Sequence, residues 1–194
     1  MMTNLLMVGV GGQGIIWASD ILSEVALQSN YDVKKNEIHG MSQRGGAVVS
    51  HIRIGNKVHA PIISEGTADF IISFEKMEFL RYIEYINNNT ILLLNTQVIY
   101  PLSVTSGEAA YPNDLIEKGI KKFTKVYQLN ALKLAISVGN PRVISSVILG
   151  ALSVFLPFSF SVWENTIINR APKNTSSINI KGFNKGTEVI KSSL

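Results

Sequence analysis

The sequence has no cysteine among its 194 residues. Without thiols the chain can form no disulfide bond, and it has no thiolate with which to ligate a metal. An ordinary iron–sulfur cluster, which cysteine thiolates hold, is therefore excluded from this chain. Any such redox centre has to belong to another subunit.

Histidine is scarce as well, and no motif for hydrolysis is present. The three histidines are His39, His51 and His59, and their spacing is not typical of a zinc site. His51 falls inside a predicted strand, where packing is a more frequent role than metal ligation. Ser42 lies outside any G-x-S-x-G turn, so hydrolase activity is discounted.

Charge is modest and nearly balanced, because 18 basic residues against 14 acidic ones give +4. This balance mildly favours anionic partners. Four lysines between Lys118 and Lys125 form the main basic cluster, but they match no nucleic-acid-binding motif. The cluster predicts a solvated helix face, and no nucleic acid is expected as a partner.

Only one long apolar run occurs, from Val143 to Phe160. It is near the lower length limit for a membrane span and contains several serines as well as Gly150 and Pro157. A buried helix is therefore predicted. Residues 1–4 carry no charged segment of the kind that opens a signal peptide, so the sequence predicts a cytoplasmic protein without a membrane span.

A glycine-rich turn at residues 9–14 organises the chain. The spacing of Gly9, Gly11 and Gly14 fits the pattern G-x-G-x-x-G, between an apolar strand and a helical pattern. Glycine permits the backbone angles of such a turn, and the free N–H groups at the start of the following helix attract an anion. The turn can therefore receive a phosphate or a carboxylate.

Hydrophobic spacing predicts a helix over residues 13–29 and a second strand at 31–33, adjacent and parallel to the first. A polar loop at 34–46 and an antiparallel strand pair at 47–54 and 57–59 follow. Later patterns predict strands at 69–74, 91–94 and 126–127 and helices at 75–86, 114–122, 131–137 and 143–156. Strand 91–94 is apolar throughout and is expected at the sheet centre. Asn130 is expected to cap the helix at 131–137.

These elements predict an α/β fold, a Rossmann-like three-layer αβα sandwich with a mostly parallel sheet and an antiparallel addition after strand 2. The length and the 46% hydrophobic content suit a single domain over residues 1–194. Within it, residues 172–177 form a polar segment, and residues 178–194 are expected to form a C-terminal arm or helix.

Two segments, the glycine turn at residues 11–14 and the loop at residues 39–46, carry groups that suit binding of a carboxylate or phosphate. In the loop, Arg44 would supply charge, and the glycines of both segments would allow close backbone approach. The candidate ligand-binding or partner-facing residues are Gly11, Gly12, Gln13, Gly14, His39, Ser42, Gln43, Arg44, Gly45 and Gly46. The turn could instead bind NAD or FAD, or its glycines could be needed only for the backbone conformation of the turn. The loop could instead be a structured loop anchored to its own backbone or to a partner.

A dinucleotide site would need an acidic residue at the end of strand 2. Asp32 stands at the start of that strand and Glu37 precedes the glycine-bearing part of the loop, so neither fits cleanly. A Walker A site is excluded, because no Gly-Lys-Ser/Thr follows the turn.

Four stretches of the sequence are similar to the gamma-type subunits of 2-oxoacid:ferredoxin oxidoreductases, and within that family to the beta subunits of the indolepyruvate type. The stretches are residues 8–14, 37–55, 65–75 and 139–142. The second is the most specific: His39-Gly40-Met41-Ser42-Gln43-Arg44-Gly45-Gly46 resembles the aryl-pyruvate type, whereas pyruvate enzymes have Tyr-Gly-Pro-Glu-Met-Arg-Gly-Gly there.

This resemblance implies a role in oxidative decarboxylation of a 2-oxoacid, with coenzyme A taking the acyl group and ferredoxin the electrons. It implies that thiamine diphosphate, Mg²⁺ and the iron–sulfur clusters lie in a larger partner subunit and that this chain holds no cofactor alone. The chain would be inactive by itself and would work in a homodimer or heteromer. Two alternatives are a purely structural assembly subunit and a stand-alone nucleotide-binding Rossmann protein.

Overall fold

A six-stranded sheet forms the centre of the computed structural model, which describes residues 2–40 and 46–194. The strands are β1 (Met2–Val10), β2 (Asp32–His39), β3 (Ala47–Gly55), β4 (Phe70–Ser73), β5 (Ile91–Asn95) and β6 (Lys125–Leu129). Their order is β2-β3-β1-β4-β5-β6. The neighbouring strands β1, β4, β5 and β6 are parallel to one another, whereas β3 is antiparallel to both β1 and β2.

Helices cover both faces of this sheet. They are α1 (Ile15–Gln28), α2 (Leu102–Thr105), α3 (Asn113–Ile120), α4 (Ala131–Ser137), α5 (Ile144–Ser153), α6 (Phe160–Arg170) and α7 (Ser176–Lys191), with 3-10 helices at Glu78–Tyr85 and Pro141–Val143. The larger core joins one face to α1 and α4–α7, and the smaller core joins the other face to α3 and the first 3-10 helix. The predicted three-layer fold with an antiparallel addition is confirmed.

The predicted position of β2 was wrong. Strand β3 lies between β1 and β2, so β1 and β2 point the same way but are not neighbours. Residues 34–39, predicted as loop, extend β2 to eight residues. The pattern was misleading because Lys35 and Glu37 are polar yet half-buried, and they satisfy each other through an ion pair of 2.7 Å.

Two further strand predictions need correction. Strand β5 is fifth of six in the sheet, so its apolar sequence reflects cover on both faces and not a central position. Residues 57–59 form no strand but a connection held by Asp32, which accepts a hydrogen bond from the N–H of Val58 at 2.8 Å. The predicted cap is present, because the Asn130 side chain accepts a hydrogen bond from the N–H of Lys133 at 2.9 Å.

The apolar run from Val143 onward forms α5, a buried helix, as predicted. Eight of its residues are buried, and its main partner is α7. Gly150 of α5 and Gly186 of α7 lie against backbone of the opposite helix, at Phe183 and Val147. None of the described helices is both long and apolar enough to cross a membrane.

His51 lies on β3 with only 2% of its surface exposed. Its Nδ1 accepts a hydrogen bond from the N–H of Ile63 at 3.3 Å, and its ring packs edge-on against Tyr85 with centroids 5.7 Å apart. The imidazole is therefore a packed core group, in line with the interpretation from sequence.

Burial lowers the pKa of His51 below its usual value, so the folded chain resists protonation of this ring more than the unfolded chain does. The stabilising effect is complete above the unfolded pKa of about 6.5 and is lost as the pH falls through that value toward the folded pKa. We expect His51→Gln to lose less stability than wild type between pH 7 and pH 5 in urea unfolding. His59→Gln, at an exposed histidine, is the control for the substitution itself and should keep the wild-type free energy of unfolding at pH 7.

Candidate functional site

The glycine turn follows β1 at the carboxyl end of the parallel strands. Gly9 has no room for a side chain, since a Cβ there would lie 2.8 Å from Cβ of Phe74 and 2.9 Å from Cδ1 of Ile15. Gly12 and Gly14 have φ of 97° and 78°, in the left-handed region that favours glycine. The turn conformation thus depends on glycine at these three positions.

The side chain of Gln13 braces this turn. Its Oε1 accepts a hydrogen bond from the N–H of Val10 at 2.8 Å, and its Nε2 donates to the carbonyl oxygen of Phe74 at 2.7 Å. The hydroxyl of Ser145, at the start of α5, donates to the carbonyl oxygen of Gln13 at 2.9 Å. Gln13 therefore uses its amide to connect β1 with the end of β4.

The turn also contacts Gly46, at one end of the loop between β2 and β3, and the two ends of this loop bond to each other. The N–H of Gly11 donates to the carbonyl oxygen of Gly46 at 2.9 Å, and the N–H of Gly40 donates to that of Ala47 at 2.8 Å. His39 is exposed at the end of β2. The described ends of the loop, residues 39–40 and 46, thus lie beside the glycine turn.

Between these segments lies a cavity of about 670 Å³, which we call the turn cavity. Its lining combines apolar side chains with glycine backbone and is Val10, Gly11, Gly12, Gly14, Ile15, Ile16, Trp17, Asp20, His39, Gly40 and Val48. The first hydrogen bond of α1 runs from the N–H of Ala18 to the carbonyl oxygen of Gly14, at 3.0 Å. The N–H groups of Ile15, Ile16 and Trp17 precede that bond, so the positive end of the helix dipole lies at the cavity.

A charged network extends from Asp20, which lines the turn cavity. Lys35 contacts the carboxylate of Asp20 and lies 2.7 Å from that of Glu37. Burial alone would lower the pKa of Lys35, but hydrogen bonds to Asp20 and Glu37 outweigh it and raise this pKa above its usual value. Arg170 of α6 adds a contact of 3.4 Å with Glu24, so the network ties α1, β2 and α6 together.

Glu75, just after β4, anchors the connection that follows β5. Its carboxylate is fully buried and accepts hydrogen bonds from the N–H of Met77 at 2.6 Å, the N–H of Ile99 at 3.2 Å and the hydroxyl of Tyr111 at 2.7 Å. Burial, together with this bond to Glu75, raises the pKa of Tyr111 far above its usual value. Residues 97–111 are thereby fixed at the same end of the sheet as the glycine turn.

The structure therefore places six of the ten residues predicted from sequence at one site. Gly11, Gly12, Gln13 and Gly14 form the turn, while His39 and Gly46 lie at the ends of the loop. Ser42, Gln43, Arg44 and Gly45 lie outside the described residues. A role of any of the ten in binding a ligand or a partner stays a prediction.

Sequence reasoning missed the walls of the cavity. Hydrophobic spacing places Trp17 and Asp20, which line the cavity, only within a helix, and it places Lys35, which pairs with Asp20 outside the lining, only within a loop. One signal could have indicated the network, namely Lys35 and Glu37 two residues apart, as on one face of a strand. No local signal indicated Trp17, because its place depends on α6, where the carbonyl oxygen of Arg170 accepts a hydrogen bond from its ring N–H at 3.2 Å.

Comparison with known proteins agrees with this architecture. The model of the pyruvate ferredoxin/flavodoxin oxidoreductase family matches residues 4–189. Indolepyruvate oxidoreductase subunit IorB of Archaeoglobus fulgidus is 39% identical over 190 residues, which cover 96% of this chain and 94% of that protein.

Two solved structures share the fold. A keto/oxoacid ferredoxin oxidoreductase gamma subunit from Geobacter sulfurreducens matches with a TM-score of 0.72 and 22% identity over 98% of this chain and 99% of its own. A 2-oxoglutarate:ferredoxin oxidoreductase from Magnetococcus marinus matches with a TM-score of 0.74 and 18% identity over 98% of this chain and 31% of its own. The chain therefore belongs to the pyruvate ferredoxin/flavodoxin oxidoreductase family, as a small subunit of a 2-oxoacid:ferredoxin oxidoreductase.

Proposed function

We propose that the turn cavity binds the carboxylate of a 2-oxoacid or the phosphates of coenzyme A, in an active site that a larger partner subunit completes. The observation that carries this proposal is the contact between the N–H of Gly11 and the carbonyl oxygen of Gly46, which brings both candidate segments to one cavity. The start of α1 supplies N–H groups and a favourable dipole for an anion. The resemblance of residues 39–46 to the aryl-pyruvate type, together with the IorB relative, favours indolepyruvate as the substrate.

The reaction in question removes carbon dioxide from a 2-oxoacid, transfers the acyl group to coenzyme A and passes two electrons to ferredoxin. Thiamine diphosphate with Mg²⁺, which stabilises the carbanion formed on decarboxylation, and iron–sulfur clusters would belong to the partner. The sequence has no cysteine, and residues 2–40 and 46–194 contain no group of three His, Asp or Glu able to hold a metal.

The contribution of this chain would be binding, orientation and exclusion of water. Backbone N–H groups at the turn would hold the anionic end of the ligand, while Ile16 and Trp17 would cover its apolar part. Holding a reactant in one orientation lowers the entropic part of the barrier. We further propose that the complex works in the cytoplasm, delivers electrons to ferredoxin and contains this chain in a homodimer or heteromer.

Replacing Arg44 with alanine in the complex reconstituted with its partner tests this proposal. A charge-assisted hydrogen bond contributes roughly 2 kcal/mol, so the Michaelis constant for the 2-oxoacid or for coenzyme A should rise by about 30-fold. Steady-state kinetics with each substrate varied in turn would identify the ligand. Lys191→Ala, at the exposed end of α7, is the control and should keep wild-type constants. Wild-type kinetics and assembly for Arg44→Ala would refute the assignment of Arg44.

A second candidate is an assembly subunit whose two segments only dock the partner. It is favoured by Ile16 and Ile38, which are 42% and 51% exposed near the turn and the end of β2. Hydrogen exchange of residues 39–46, measured in the complex, separates the two functions. Protection that increases on adding coenzyme A or 2-oxoacid supports ligand binding, and protection caused by the partner alone supports docking.

The structure argues against a stand-alone nucleotide-binding protein. In a dinucleotide site, the acidic residue stands at the end of the strand next to β1. Here β3 occupies that place, and β2 is two strand spacings, or roughly 10 Å, from β1. Glu37 is also engaged, since its carboxylate pairs with Lys35 and accepts a hydrogen bond from the Ser19 hydroxyl at 3.1 Å.

A further inference from the structure

A second cavity, of about 550 Å³, lies at the opposite end of the sheet from the glycine turn. It is formed where Thr3 lies near the start of β1, Asp69 precedes β4 and Asn89 precedes β5. The segment after α5, residues 154–158, closes its other side. We call it the amino-end cavity, and nothing in the proposed function uses it.

Aromatic rings form the walls of this cavity. Tyr31 and Phe158 pack edge-on with centroids 5.6 Å apart, and Phe70 and Phe155 pack at 6.1 Å with their planes tilted by 48°. All four residues line the cavity. Phe158 also packs on the buried ring of Trp163 at 6.2 Å, so this wall is held from behind. The faces of aromatic rings carry negative electrostatic potential, which attracts cations.

The rim carries one charged side chain, that of Asp69, beside the neutral polar side chains of Thr3, Tyr31 and Asn89. Asp69 uses one carboxylate oxygen to accept the N–H of Asn4 at 2.8 Å, and a carboxylate can accept several such bonds. Asn89 is exposed, and its side-chain amide can accept or donate a hydrogen bond. Lys125 stands opposite Ile91 in the sheet, but it is exposed, so water screens its charge.

We propose that the amino-end cavity is a binding site for a small organic ammonium ion that carries an aromatic or apolar group. The four rings would surround the apolar part and the cationic head by cation–π attraction, and Asp69 would pair with the ammonium group. An uncharged molecule of the same shape would gain the apolar contacts but lose both electrostatic contributions. An anion would be repelled by Asp69.

Titration of the ¹⁵N-labelled 194-residue chain with benzylammonium tests this site. Saturable shifts are expected at the amides of Asp69, Phe70 and Phe155 and not at the glycine turn. Benzyl alcohol, which has the same ring without the charge, should bind at least about tenfold more weakly. Equal affinity for the two compounds, shifts confined to other residues, or no saturation would each overturn the proposal.

A variant at Asp69 and a matched control locate the interaction. Asp69→Asn keeps an oxygen that can accept the N–H of Asn4, so the fold should be retained while benzylammonium affinity falls by about tenfold. Asp114→Asn, at an exposed aspartate on α3, is the matched control and should bind as wild type does. Unchanged affinity in Asp69→Asn would show that the carboxylate does not recognise the cation, and the comparison with benzyl alcohol on wild type still decides if this variant fails to fold.

Discussion

Changing Gly150 or Gly186 to alanine is expected to destabilise the chain by about 3 kcal/mol or more, because it overpacks the contact between α5 and α7. A Cβ on Gly150 would overlap the carbonyl oxygen of Phe183, and a Cβ on Gly186 would overlap that of Val147. Both neighbours are helix backbone, which cannot rotate away as a side chain can. The same substitution in an exposed helix usually stabilises by about 1 kcal/mol, so the expected effect has the opposite sign.

Gly119 of α3 offers a matched control for this prediction. A Cβ there would meet only side chains, those of Leu80 and Phe79, and Leu80 can move. Urea unfolding followed by circular dichroism should therefore show a large fall in the free energy of unfolding for Gly150→Ala and Gly186→Ala. The change for Gly119→Ala should be much smaller. For a domain of this size, 3 kcal/mol corresponds to a fall in melting temperature of roughly 10 °C. If all three variants melted like wild type, close helix approach would not determine stability here.

The contact between α5 and α7 also shows why parts of the fold could not be predicted from sequence. Helix α7 buries Phe183 and Ile190 in the larger core, but Gly182, Gly186 and Asn179 are buried as well. Its association uses close backbone approach and a buried hydrogen bond of 2.7 Å from the Ser146 hydroxyl to the Asn179 side chain. Hydrophobic periodicity measures neither, and the sequence therefore predicted only an arm or helix at this position.

What could be predicted is local. The turn after β1, helix α1, the antiparallel β3 and the cap at Asn130 follow from residues close in sequence. Strand order does not, because β3 pairs with β1 over its whole length while β2 lies outside it, and no property of residues 32–39 alone specifies that arrangement. The same holds for the site, where the glycines were found from spacing but Trp17 and Asp20 became cavity walls only through contacts with α6 and β2.

Gly14 joins the turn to α1, and its replacement by alanine is expected to affect both stability and function. The left-handed backbone, with φ of 78°, costs a non-glycine residue about 1–2 kcal/mol. A Cβ would also overlap the hydroxyl of Ser145, which donates to the carbonyl oxygen of Gln13. We expect a total loss of about 3 kcal/mol and, in the reconstituted complex, a raised Michaelis constant for the ligand of the turn cavity.

A double-mutant cycle with Ser145→Ala separates the two causes. Ser145→Ala alone should cost about 1 kcal/mol, because it removes one hydrogen bond to the turn. In Gly14→Ala/Ser145→Ala the overlap with the hydroxyl is gone. The double variant should therefore lose about 1–2 kcal/mol less stability than the sum of the two single losses. Additive losses would instead show that backbone conformation alone requires glycine at this position. If the Michaelis constant recovers together with stability, the start of α1 must be correctly placed for the ligand to bind, as an anion site built from its N–H groups requires.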